Sequence, residues 1–182
     1  MSRSELSQAG LCAFDSGSFR DRDGRVYRLD GRIVRGLSAG ALADFETLRS
    51  KKFYGRCLAQ GQLVGSEPLA PPQRERWAGF LEHEVVPVVT YPYEWTFGML
   101  RDAALLQLDL VEAAILENMT LKDATPYNIQ FRNGRPVFID IPSFETLQAG
   151  ARWAGYRQFC ELFLFPLLLQ AYKGIPFQPL LR

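Results

Sequence analysis

The chain has 182 residues, of which 47% are apolar and 23% charged, with a formal net charge of +1. That is enough apolar material for a packed core in one domain or a compact two-lobed one, and it excludes a disordered chain. The near-neutral charge gives no long-range field for nucleic acid, and the longest apolar run, "LFLFPLLL" at 162–169, is too short to span a bilayer.

The first ten residues, "MSRSELSQAG", lack the apolar centre of a secretory signal. Residues 14 to 37 read as β-structure. Asp23-Gly24 and Asp30-Gly31 each sit between alternating runs, which predicts a three-stranded meander over roughly 18–22, 25–29 and 32–36. The six arginines of this stretch (20, 22, 25, 28, 32 and 35) are interleaved with Asp15, Asp21, Asp23 and Asp30, the pattern of a solvated sheet face.

Ser38 is the expected N-cap of a helix from 39 to about 60, with Leu42, Phe45 and Leu48 on one face and Gly61 as its stop. "GSEPLAPPQ" at 65–73 reads as a Pro-rich loop. "HEVVPVVTYPYEW" at 83–95 reads as two short β segments divided by Pro87. His83, the sole histidine, precedes them and reads as structural; any Ser-His-Asp or Cys-His mechanism would have to pass through it. From Phe97 to Glu117 a helical period places Leu100, Ala104, Leu108, Val111 and Ile115 on one stripe. A loop follows, then a hairpin turned by Asn133-Gly134 with a second strand at Val137 to Ile139. A final helix is expected from about Ala151 to Tyr172, ended by Gly174 and Pro176. Cys12, Cys57 and Cys160 are odd in number and widely spaced, which fits reduced core thiols in a cytoplasmic protein better than a disulfide or zinc framework.

The expected class is therefore α+β: a small antiparallel sheet with one helix over 1–95, then a mainly helical half over 96–182, as one compact domain or a piece of a longer protein. The chemistry concentrates in "TLKDATPYNIQFRNGRPVFIDI" at 120–141. Asp123 and Asn128 stand five positions apart on the loop, and Asp140 ends the hairpin twelve positions later. Asp, Pro and Asn are also ordinary turn formers.

In that order the elements resemble the bilobal protein-kinase-like fold, in particular the small-molecule phosphotransferases of the aminoglycoside and choline kinase type. The resemblance implies ATP or another nucleotide with Mg²⁺, and a small hydroxylated molecule as phosphate acceptor. It makes Asp123 the catalytic carboxylate and Asn128 and Asp140 the metal ligands. Arg35 on the third strand takes the place of the phosphate-binding Lys, and Glu46 either pairs with it or is a solvated helix charge. Lys122 either contacts phosphate or is solvated. Tyr91 and Tyr93, where the lobes of such a fold join, either edge a nucleotide or pack a linker.

The chain departs from that family in four places. Leu121 stands two positions before Asp123, where the family has His. The meander lacks a Gly-rich phosphate loop. Ile141-Pro142 replaces the Phe-Gly that follows the metal Asp, and Ser143, Phe144 and Glu145 shape the loop beyond it. The chain also ends soon after one further helix, short of the family's acceptor-binding region.

A second resemblance runs over roughly residues 30 to 180. "TYPYEWTFGMLRDAALLQLDL", "MTLKDATPYNIQF" and "RPVFIDIPSFE" are similar to segments of bacterial SAM-dependent methyltransferases, including nodulation-type proteins. In those proteins they lie upstream of the methyltransferase domain. No glycine-rich SAM loop occurs in this chain. The resemblance thus implies either an ATP/Mg²⁺-dependent phosphotransferase or a catalytically degenerate kinase-like module that accompanies a methyltransferase domain, without nucleic acid or membrane as partner.

Overall fold

The computed structural model describes residues 23–69 and 77–182. They form an α+β fold with small antiparallel sheets, and the chain divides into two units, each packed chiefly against itself. One runs up to Thr47 and resumes over Gly65–Val85; the other comprises Leu48–Val64 and Val86–Arg182.

The first unit is built on a four-stranded antiparallel sheet of β1 (Gly24–Leu29), β2 (Arg32–Leu37), β3 (Ser66–Leu69) and β4 (Gly79–His83), in the order β1-β2-β4-β3. The β1–β2 hairpin turns on Asp30 and Gly31, with φ of 46° and 79°, the paired positive values that a two-residue turn between twisted strands demands. Both strands fall where their alternation predicts. The expected strand at 18–22 lies outside the described residues.

Tyr27, Val34, Trp77 and Phe80 make the core of this unit. The Trp77 indole N–H donates to the Tyr27 hydroxyl at 2.9 Å, so both large rings bury with their polar ends satisfied. Gly36 is needed beneath that ring, since a Cβ there would come within 2.4 Å of Trp77 Cδ1. Buried His83 meets the Ser66 hydroxyl through Nδ1 at 2.7 Å.

Two expectations fail between residues 50 and 95. The single helix at 39–60 is two, α1 (Ala39–Arg49) and α2 (Lys52–Ala59). Ser38 Oγ accepts from the Ala41 N–H at 3.2 Å, the predicted cap. The break comes at Lys51, which is extended (φ −82°, ψ 139°). There the Glu117 carboxylate accepts the Lys52 and Phe53 N–H groups, both at 2.8 Å, and supplies the cap that Lys51 cannot. The β segments expected over 83–95 are also misplaced, because the strand is Gly79–His83 and ends where the reading began. "VVPVV" looks β-forming, but Pro87 cannot donate to a ladder, and Val85, Val88 and Val89 are 45%, 64% and 51% exposed.

The second unit is organised by α3 (Phe97–Ile115), capped by Thr96 Oγ1 accepting from Met99 N–H at 3.3 Å. Its buried residues are Leu100, Ala103, Ala104, Leu106, Gln107, Leu110, Val111 and Ala114. The apolar stripe read from sequence included Leu108 and Ile115, which are 41% and 43% exposed. The true face is centred on a glutamine, so counting apolar residues alone tilted the stripe.

After α3, β5 (Met119–Leu121) pairs antiparallel with β8 (Phe144–Thr146), and β6 (Ile129–Arg132) with β7 (Arg135–Phe138). The second hairpin turns on Asn133 and Gly134 at φ 53° and 75°, as its sequence predicts. Phe138 gives its N–H to Gln62 O at 2.8 Å, and its carbonyl accepts the Val64 N–H at 2.9 Å, which ties residues 62–64 to the hairpin. Phe53, Phe138 and Phe144 pack together, with Phe144 5.8 Å from each of the other two ring centroids.

The last helix starts later than expected, as α4 (Tyr156–Phe159), widens to a π-turn over Cys160–Leu164 and continues as α5 (Phe165–Lys173). Pro166 has no N–H to give to the preceding turn, and the wider turn accommodates that missing bond. Gly174 closes the helix at φ 64°. Cys57 and Cys160 are free and buried, and burial pushes the Cys57 thiol up. Among the described residues no helix is long and apolar enough to cross a membrane.

Candidate functional site

The candidate residues Lys122, Asp123, Asn128 and Asp140 all belong to the second unit, and all are half-buried. The loop that carries Asp123 leaves β5 at Leu121 and has no ladder partner beyond it. Its backbone polar groups must still be satisfied. Side chains from separate segments do most of this. The Leu121 carbonyl accepts from the Trp153 indole N–H at 2.8 Å. Lys122 N–H donates to the Ser143 carbonyl at 3.0 Å, and Asp123 N–H to the Ser143 hydroxyl at 3.3 Å. The Asp123 carbonyl accepts from the Gln107 amide at 3.2 Å, and Ala124 N–H donates to Gln158 Oε1 at 2.6 Å. Gln107, Ser143 and Ala124 are each fully buried, so these bonds form away from water.

The loop then closes in a 3₁₀ turn over Pro126–Asn128, where Thr125 Oγ1 accepts from Tyr127 N–H at 3.3 Å and Asn128 N–H bonds Thr125 O at 3.1 Å. The Tyr127 hydroxyl donates to Leu181 O at 2.6 Å, and burial, with Tyr93 nearby, pushes its phenol up.

The hairpin brings the two ends of the motif together. Asn128 precedes β6 and Asp140 follows β7, and the Ile139 N–H donates to Asn128 O at 2.9 Å. As a result the Asn128 amide Nδ2 lies 3.3 Å from Asp140 Oδ2. Ser143 N–H returns to Asp140 O at 2.9 Å, so the short turn after Asp140 places the same Ser143 that fixes Asp123. Asp123, Asn128 and Asp140 are thus joined by one set of short-range bonds.

Tyr91 and Tyr93 stack with ring centroids 5.4 Å apart and planes 1° apart. Tyr91 N–H donates to the Glu94 carboxylate at 2.9 Å, and Trp95 is buried against Phe131 with centroids at 5.1 Å. Gln130 grips Thr90 on both sides, accepting its N–H at 2.8 Å and donating to its carbonyl at 3.1 Å. Buried Trp95 packs the segment, while Tyr91 stays 45% exposed.

Arg35 and Glu46 belong to the first unit. Arg35 is half-buried on β2, opposite Val26 on one side and Leu81 on the other; Glu46 is exposed on α1.

Residue type and spacing mark Asp123, Asn128 and Asp140 in the sequence, but not the side chains that hold their loop. Gln107 had a signal, as the one polar residue within the apolar period of α3. Gln158 and Trp153 had none, because their role is to reach a backbone some 30 residues earlier in the chain.

No family model matches the chain. It is 37% identical over 164 residues to Nodulation protein NoeA of Rhizobium meliloti (strain 1021), an alignment that covers 88% of this chain and 34% of that protein. The chain therefore spans about a third of the length of this curated relative.

Proposed function

We propose that the chain is a kinase-like domain that binds a nucleotide with Mg²⁺ and transfers phosphate to a small hydroxylated molecule. The observation that carries this reading is the meeting of Asn128 and Asp140 at 3.3 Å, beside a loop that fixes the backbone of Asp123.

The donor set fits the cation. Among the described residues no group of three or more His, Cys, Asp or Glu is gathered to cage a metal. That argues against a dedicated protein cage of the zinc or calcium kind. Mg²⁺ instead takes one or two protein oxygens and completes its shell with water and phosphate, and Asn128 and Asp140 supply an amide and a carboxylate within reach of each other. Bound there, the ion would neutralise phosphate charge. Asp123 would orient the acceptor hydroxyl and take its proton as the new P–O bond forms and the bond to the nucleotide's β-phosphate breaks. Lys122 would contact phosphate, and Tyr91 and Tyr93 would edge the base.

A second reading has support of its own. The relative is about three times as long as the stretch it shares with this chain, and here Leu121 and Arg35 stand where kinase-like enzymes have His and Lys. These features favour a degenerate kinase-like module within a longer protein; an associated methyltransferase domain, for which it would hold a nucleotide or substrate, is implied only by the resemblance of its sequence segments.

Thermal unfolding with ATP, with and without Mg²⁺, tests the site itself. Ligand at about 100 times its dissociation constant should add about 2.7 kcal/mol. The expected result is a Mg²⁺-dependent rise in Tm that Asp140→Ala abolishes. No shift with any nucleotide would rule out the phosphotransferase. A shift without turnover would favour the degenerate module.

A further inference from the structure

The second unit holds an open cleft of about 520 Å³ that none of the candidate site residues line. Its apolar floor is Leu105 and Leu106 of α3 with Pro136 of β7. Asp102 and Asp109 lie on the same face of α3, two turns apart, and bracket those leucines. Facing them are the turn of Gln60, Gly61 and Gln62 and the hairpin residue Arg135. The backbone of that turn is already bonded: Gln60 N–H donates to Arg56 O at 3.0 Å, Gln62 N–H to Cys57 O at 2.9 Å, and Gln62 O accepts the Phe138 N–H at 2.8 Å. The wall is therefore fixed while its side-chain amides stay available. Asp102 is partly neutralised, because Oδ1 accepts from Arg101 Nε and Nη2 at 3.0 and 2.8 Å. Among the described residues, the side chains of Asp109, Arg135, Gln60 and Gln62 make no hydrogen bond or ion pair. A carboxylate and a guanidinium thus line one cleft without pairing with each other.

We propose that this cleft binds a small zwitterion, an ammonium and a carboxylate joined by a short apolar chain. Asp109 would take the ammonium, and the N–H fork of Arg135 would take the carboxylate. The chain would lie on the leucine floor. Gln60 and Gln62 each offer a donor and an acceptor, so they serve either end. The charges select the class of ligand. A simple anion would meet Arg135 but be repelled by Asp109, and a simple cation would meet Asp109 but be repelled by Arg135. A zwitterion meets both with opposite charge. A cleft of this volume is roughly 10 Å across and falls within the range of small-ligand sites. Arg135 stands at the turn end of the β6–β7 hairpin, whereas Asn128 and Asp140 flank its other end, so the proposal does not rest on the nucleotide reading.

The test follows amide resonances of the whole chain titrated with 6-aminohexanoate, hexylamine and hexanoate. The zwitterion should give saturable shifts at residues 60–62 and 102–109, and each single-charge analogue should bind at least roughly tenfold more weakly. Asp109→Asn and Arg135→Gln, both at exposed positions that should not disturb folding, should each weaken the zwitterion by roughly tenfold. Asp109→Asn should leave hexanoate binding no weaker, since hexanoate has no ammonium to lose, and Arg135→Gln should do the same for hexylamine. Absence of a saturable shift with the zwitterion, or equal binding of all three molecules, would overturn the proposal. So would zwitterion binding that is indifferent to both substitutions, or that Asp140→Ala abolishes, because the molecule would then sit elsewhere or in the nucleotide site.

Discussion

The two units differ in how their polar side chains are used. In the first, polar side chains meet one another: Arg32 with Glu82 and Ser66 with His83 across strands, and Trp77, just ahead of β4, with Tyr27 on β1. The sheet already satisfies the backbone, so side chains are left to pair among themselves. In the second, Gln107, Ser143, Trp153 and Gln158 turn inward to the backbone of residues 121–124. Beyond Leu121 the segment continues no ladder, and its polar groups would otherwise be buried unsatisfied. Cross-strand pairs decorate a structure that the ladder defines. Side-chain-to-backbone bonds define the structure, and here they define where Asp123 sits relative to Asn128 and Asp140.

The contrast can be broken by substitution. The largest effect should come from Phe138→Ala, which empties a fully buried site between Phe144 and the hairpin that carries both Asn128 and Asp140. A loss of about 3–5 kcal/mol is expected in chemical denaturation. A loss below about 1 kcal/mol would mean that the aromatic cluster does not support the hairpin.

Next comes the loop. Gln158→Met keeps the volume and leaves the Ala124 N–H buried without its acceptor, at a cost of about 1–3 kcal/mol. Hydrogen exchange should accelerate at residues 121–125 and stay unchanged in the β1–β2 hairpin. Uniform acceleration would show that the loop is not held locally.

Glu117→Ala removes the carboxylate from the start of α2 and should cost about 1 kcal/mol, with fraying confined to Lys52 and Phe53. Arg32→Met should do least. Its pair with Glu82 is about one-third exposed on both sides, and such pairs contribute at most about 1 kcal/mol, less in high salt. If Arg32→Met proved costlier than Gln158→Met, the contrast between the units would be reversed.

The same contrast explains what the sequence made legible. Asp30-Gly31 and Asn133-Gly134 announce their turns because few residue pairs tolerate two positive φ values in succession. Ser38 announces α1 through a bond three residues away. These are local signals. The split between α1 and α2 depends on Glu117, more than 60 residues distant, and the β5–β8 pair joins segments some 25 residues apart, so neither was visible. Asp123, Asn128 and Asp140 stood out through spacing and residue type. Gln107 and Gln158 did not, because nothing in the character of a glutamine says which backbone it will reach.

The central claim is that the hairpin ends and the Asp123 loop form one cation–phosphate site. Paramagnetic broadening of amide resonances by Mn²⁺ with ATP measures this directly. The account predicts that broadening is strongest at residues 123, 128 and 140, requires the nucleotide, and disappears in Asp140→Ala. Broadening absent from those three residues, or undiminished in Asp140→Ala, would contradict it.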